Sequence, residues 1–184
     1  QIIKLAGWHR NNFYDATGLP WVNPSPNMRN LNQALLYPGI GLLETTNLSV
    51  GRGTDTPFEQ IGAPYIQARD LANAMNARKL KGIRFVPIHF TPGSSKFNGQ
   101  VCGGLSLVIT DRDVFDPLAT GLELAVALRA LYGEQWETES LNRLLSHQQT
   151  YESIKAGASA RDIRSAYSNG LQTFRQRRKA FLLY

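Results

Sequence analysis

Apolar residues in this chain recur with two periods, and the segments that carry them are separated by connections of very unequal length. That irregularity constrains the fold more than any other feature, because a parallel sheet needs strands that alternate evenly with crossover helices. Residues 2–6, Ile40 to Glu44, Ile83 to Phe90 and Leu105 to Thr110 read as strands. Pro87 places the third of these at a sheet edge or a bulge, since proline donates nothing to a ladder. A helix is expected from Asn27 or Asn30 to about Tyr37, where Pro38-Gly39 ends it, and another from Ala68 to Arg78. Asp116-Pro117, a cap followed by proline, opens a third that stops at Gly133. Glu137 to Leu145 reads as a shorter helix, and Ser159 with Asp162 starts the last one. Its stripe of Ile163, Tyr167, Phe174 and Phe181 is expected to lie against the sheet, basic face outward. The expected class is α+β: a small, mostly antiparallel or mixed sheet packed by helices, with long ordered loops.

A chain of 184 residues suits one sizeable core, so residues 1–184 are read as a single domain. It opens Gln1-Ile2-Ile3-Lys4-Leu5 with no initiator Met and no leader, so a preceding segment is expected to be missing. No apolar run reaches the roughly 18 residues of a membrane span, and no membrane insertion is expected. The lone Cys102 excludes an internal disulfide, and His9, His89 and His147 lack metal-ligand spacing. Nucleotide-binding glycine motifs are missing too, so neither a metal nor a cofactor is expected. Arg175, Arg177, Arg178 and Lys179 supply four of the net +6 charges. So local an excess reads as a solvated helix end rather than a phosphate-binding stripe, and no nucleic-acid partner is expected.

Three loops hold residues suited to a site. In Glu44 to Thr54, Gly51 and Gly53 flank Arg52, so backbone N–H groups and a guanidinium can converge on one anion. Asn47, Ser49 and Thr54 add neutral groups of the kind that read sugar hydroxyls, and Glu44 is an acceptor or a general acid or base. A tight turn whose Arg52 pairs with Asp55 or Glu59 fits the same spacing. In the second loop, Phe90, Lys96 and Phe97 either present rings and a cation to a ligand or tie the loop to the core. In the third, Trp8 to Pro26, the rings of Trp8, Tyr14 and Trp21 leave the same two readings open. No second carboxylate pairs with Glu44 at the separation of about 5 to 9.5 Å that a glycosidase needs, so catalytic residues stay unassigned.

Gly18-Leu19-Pro20-Trp21-Val22-Asn23-Pro24-Ser25-Pro26-Asn27, Tyr37-Pro38-Gly39, Glu44-Thr45-Thr46-Asn47-Leu48-Ser49, Gly51-Arg52-Gly53-Thr54 and Pro57-Phe58-Glu59 closely resemble bacterial exo-acting β-N-acetylmuramidases. The resemblance continues through Phe90, Pro92, Lys96, Gly99, Cys102 and Gly104 to Leu182-Leu183-Tyr184. It implies the C-terminal, substrate-binding domain of a two-part glycosidase, whose upstream Rossmann-like catalytic domain is absent from this chain. It also implies release of terminal N-acetylmuramic acid from peptidoglycan fragments without a cofactor, in a periplasmic or extracellular setting. The lactyl carboxylate of that sugar gives Arg52 an anionic target and favours the site reading. Candidate substrate-binding residues are then Glu44, Asn47, Ser49, Gly51, Arg52, Gly53, Thr54, Trp21, Phe90 and Lys96. The expected partners are a muramic-acid-containing glycan and the N-terminal catalytic domain of the same parent. A non-catalytic carbohydrate-binding or scaffolding module is the alternative.

Overall fold

In the computed structural model, which describes residues 2–183, the first α-helix starts where Asn30 accepts a hydrogen bond from the Gln33 N–H. Gln1 and Tyr184, part of the sequence patterns above, lie outside the described residues. The elements are α1 (Leu31–Ile40), β1 (Gln60–Ala63), α2 (Ala68–Ala77), β2 (Ile83–Phe90) and β3 (Cys102–Ile109), then α3 (Pro117–Tyr132), α4 (Asn142–Leu145), α5 (Gln148–Lys155) and α6 (Ala160–Arg178). The three strands form one antiparallel sheet in the order β1-β3-β2. This is an α+β fold, as its unequal connections imply.

β3 is central, and its Leu105 and Leu107 are buried. β2 is the edge strand that Pro87 predicts, paired without interruption from Ile83 opposite Ile109 to Phe90 opposite Cys102. At that edge the Asn76 side chain of α2 donates to the Phe85 carbonyl at 2.7 Å and accepts from its N–H at 3.2 Å. Pro87 lies two residues along the same edge, where it presents no N–H. The opposite edge, on β1, is met by Ser49, which exchanges two backbone bonds with Gly62 at 2.8 and 2.9 Å. α2 packs on β2 and β3, while α3 packs in turn on α2, α1, α5 and α6. One core joins these layers through Leu36, Phe58, Ile61, Met75, Leu124 and Trp136, all fully buried.

Five local expectations fail, and two elements were not foreseen. Residues 2–6 form no strand, and Ile2, Ile3 and Leu5 are exposed, because among the described residues no strand pairs with them. Pro38-Gly39 does not end α1, which runs to Ile40. A Cβ on Gly39 would sit 1.9 Å from the Pro117 carbonyl oxygen, so the glycine serves the approach of α1 to α3. Ile40 to Glu44 is the end of α1 followed by a 3-10 turn at Gly41–Leu43, since a short apolar run fits either period. Of Glu137 to Leu145 only Asn142–Leu145 is helical; Trp136, Thr138 and Leu141 are buried by an irregular loop instead. α6 lies on α3 and α5 rather than on the sheet, and Phe174 and Phe181 face outward. β1 and α5 carry too few apolar residues to announce themselves and are held by their neighbours.

Candidate functional site

The segment from Glu44 to Asn47 divides its side chains between two jobs. Thr45 donates to the Ser140 carbonyl at 2.7 Å, and Thr46 accepts from the buried Trp136 indole at 3.1 Å. Asn47 donates to the Gln135 carbonyl at 2.8 Å and accepts from the Glu137 N–H at 2.8 Å. These three fasten the loop after α3, whereas Glu44 turns the other way. Its carboxylate pairs with the Arg52 Nε–H, and its backbone carbonyl accepts from the Lys96 ammonium. The pairing of Arg52 with Asp55 or Glu59 that the alternative tight-turn reading offers is not made. Asp55 pairs instead with Arg29 at 3.7 Å, and Glu59 accepts from Asn30 and Gln33 at 2.9 Å each.

The Arg52 guanidinium lies 5.2 Å from the centroid of the buried Phe58 ring, which is itself edge-on to Tyr37. Cation and ring attract, so the fork is held in place while its two Nη groups make no hydrogen bond among the described residues. Gly53 adopts φ +81°, and a Cβ there would meet the Ser94 carbonyl oxygen at 2.4 Å. That bare backbone lets the two loops touch, and Gly93 donates to the Gly53 carbonyl at 2.8 Å. Two concavities are lined by residues of these loops. Glu44, Ser49, Arg52, Ser95 and Lys96 line a cavity of about 100 Å³. Arg29, Thr54, Gln60, Phe90 and Ser94 line a broader cleft of about 640 Å³.

Burial pushes the Lys96 ammonium below the ordinary lysine range, Glu44 pulls it up and Arg52 pushes it down again. One carboxylate and two cations leave the small cavity with an excess of positive charge, which attracts an anion. Of the residues named from sequence, Glu44, Ser49, Arg52 and Lys96 meet at this cavity, while Gly53, Thr54 and Phe90 line the neighbouring cleft. Gly51 supports the turn, its N–H bonding to the Ser49 hydroxyl at 3.3 Å. Asn47 and Trp21 are not brought to either concavity; the Trp21 indole donates to the Met28 carbonyl at 3.3 Å. Arg29 and Gln60 were missed, while Ser94 lies in the second of the loops that the sequence singles out. Gln60 lies on β1, whose four residues carry no periodic signal.

The family described as "Exo-beta-N-acetylmuramidase NamZ, C-terminal" matches residues 35–184, and its counterpart described as N-terminal matches residues 1–32. The chain is 40% identical to the peptidoglycan beta-N-acetylmuramidase NamZ of Bacillus subtilis (strain 168) over 186 aligned residues, covering 100% of this chain and 45% of that protein. A crystal structure of a DUF1343 family protein from Bacteroides fragilis superimposes with a TM-score of 0.74 at 24% identity, over 97% of this chain and 49% of that one. A second from the same organism gives 0.66 at 25% identity, over 88% and 43%. The chain thus spans about half the length of the relatives it matches. With its residues 35–184 matched, it belongs to the exo-β-N-acetylmuramidase NamZ family, of which it carries the C-terminal part.

Proposed function

We propose that this chain is the substrate-binding half of an exo-acting glycoside hydrolase that releases terminal N-acetylmuramic acid from peptidoglycan fragments. The observation that carries the proposal is the convergence of Arg52 and Lys96 on a cavity of about 100 Å³. Such a space takes a few water-sized groups, enough for the lactyl carboxylate but too little for a pyranose ring. The ring would lie in the adjoining cleft, where Thr54, Gln60 and Ser94 offer hydroxyl and amide groups and Phe90 a face for stacking. In this reading the catalytic carboxylates belong to a further domain that precedes residue 1, and residues 1–184 form one C-terminal unit. An exported enzyme acting on murein in the periplasm or outside the cell fits the same chemistry. The name of the Bacillus subtilis relative supports the choice of sugar.

The test is an NMR titration of the chain with N-acetylmuramic acid and, separately, with N-acetylglucosamine, repeated with Arg52→Ala and with Lys96→Gln. N-acetylmuramic acid is expected to bind more tightly, with shifts at 44–54 and 91–97. Each substitution is expected to weaken it about tenfold or more, the usual loss for a charge-assisted hydrogen bond. Equal affinity for the two sugars, or indifference to both substitutions, would overturn the assignment of the small cavity to the lactyl group.

A further inference from the structure

The apolar stripe of α6 runs on beyond the body of the fold. Ile163 is buried and Tyr167 half-buried, but Leu171 and Phe174 are 38% and 46% exposed, and Phe181 is 78% exposed. At helical spacing Ile163, Tyr167, Leu171 and Phe174 fall on one side, so the stripe that seats α6 against α3 continues into a stretch that no other helix or strand covers among the described residues, with Phe181 in the 3-10 turn that follows. Where it leaves the body it borders a mostly apolar cleft of about 590 Å³, walled by Leu118 and Leu122 of α3, by Leu145, and by Tyr167 and Leu171 of α6. Cations flank the free stretch. The Arg177 guanidinium lies 5.6 Å from the Phe174 ring centroid, and Arg175, Arg178 and Lys179 follow on the same turns.

A concave apolar cleft continuous with a ridge suits a protein element with an apolar crest and acidic shoulders. A lipid surface would leave the cleft unfilled, and a second copy laid stripe to stripe in parallel would bring two cationic clusters together. Position narrows the choice further. Arg112, on the loop before α3, pairs with Asp15 and lies 4.6 Å from the Phe13 ring centroid. At the end of that loop Asp116 caps α3 and reaches Arg164 of α6 at 3.5 Å. The segment holding Phe13 and Asp15 and the root of α6 therefore meet at one corner. Residues 1–32 match the N-terminal NamZ family, and the Bacillus subtilis relative is more than twice as long as this chain.

We infer that the free stripe of α6 and the cleft beside it seat the N-terminal domain of the parent protein, an inference that rests on the two-part reading above. Hydrogen exchange read by mass spectrometry tests it, comparing this chain alone with the full-length parent. Amides of 166–181 are expected to exchange freely in the isolated chain and about tenfold or more slowly in the parent. Leu171→Glu and Phe174→Glu are expected to abolish that protection in the parent while leaving the urea midpoint of the isolated chain unchanged, both side chains being exposed there. Equal exchange of 166–181 in the two proteins, with protection gained only at 44–54 or 90–97, would overturn the seat and leave the two-part reading standing. So would a parent in which 166–181 stays labile while the isolated chain dimerises through this face in ultracentrifugation or binds phosphatidylglycerol vesicles. A parent with no domain before residue 1 would remove the two-part reading itself.

Discussion

Lys96 is less basic than an ordinary lysine, first because it is buried and then because Arg52 opposes the pull of Glu44. A lysine whose pKa is lower folded than unfolded binds fewer protons in the native state. Its charged form therefore costs stability below the lowered value, and the cost fades as pH rises from there to the unfolded value near 10.5. Lys96→Met is expected to remove this part of the rise in urea midpoint over that window, and a rise as steep as in the unsubstituted chain would contradict it. A bound carboxylate favours the ammonium, so N-acetylmuramic acid should bind with proton uptake and lose affinity as pH climbs through the same window. At this scale the sequence was legible where chemistry is local. Gly51-Arg52-Gly53 announces a turn with a guanidinium in it, and the structure builds that turn. Asn47 was not legible, because its partners Gln135 and Glu137 lie 88 and 90 residues away and take up both ends of its amide.

Between elements, the closest meeting is that of α1 with α3. Gly39 faces the Pro117 carbonyl, and a Cβ on Gly121 would lie 2.5 Å from the Gly39 carbonyl oxygen. Alanine at position 121 would gain about 1 kcal/mol of helix propensity. Forcing two backbones apart typically costs about 1–3 kcal/mol, and here the obstructing atoms are backbone with no rotamer to change. Gly121→Ala is accordingly expected to destabilise the chain by up to about 2 kcal/mol net, read from urea unfolding at constant m-value; a stabilised variant would show that α1 can shift freely. The same contact explains why Pro38-Gly39 misleads. The proline forgoes one helical bond and the glycine one side chain, and packing against α3 compensates for both. Helices with a cap and a long apolar face, α2 and α3 above all, were legible from their own residues. α5 and β1 were not, since eight and four residues respectively say little without the surfaces they lean on.

For the whole molecule, the leading segment meets the loop before α3 at one corner. Arg112 holds Asp15 and Phe13, and pairing with Arg112 keeps the exposed Asp15 carboxyl below its usual value of 3.8. Arg112→Ala is expected to speed protease cleavage within residues 8–22 several-fold while the body from α1 onward resists as before, because exposed loops are cut once their tether goes. Unchanged cleavage would mean that contacts other than those of Arg112 hold the segment, the edge-on pair of Tyr14 and Trp21 at 5.3 Å among them. The small sheet is protected in a different way. Asn76 occupies the polar groups of Phe85 on one side, Pro87 offers no donor beside it, and Ser49 closes onto Gly62 on the other. A three-stranded sheet left open at both margins would be a template for fibrils. Because one of those margins is covered by the loop that carries Arg52, any change that loosens this loop also bares a sheet edge, so the shape of the small cavity and resistance to aggregation are tied to the same residues.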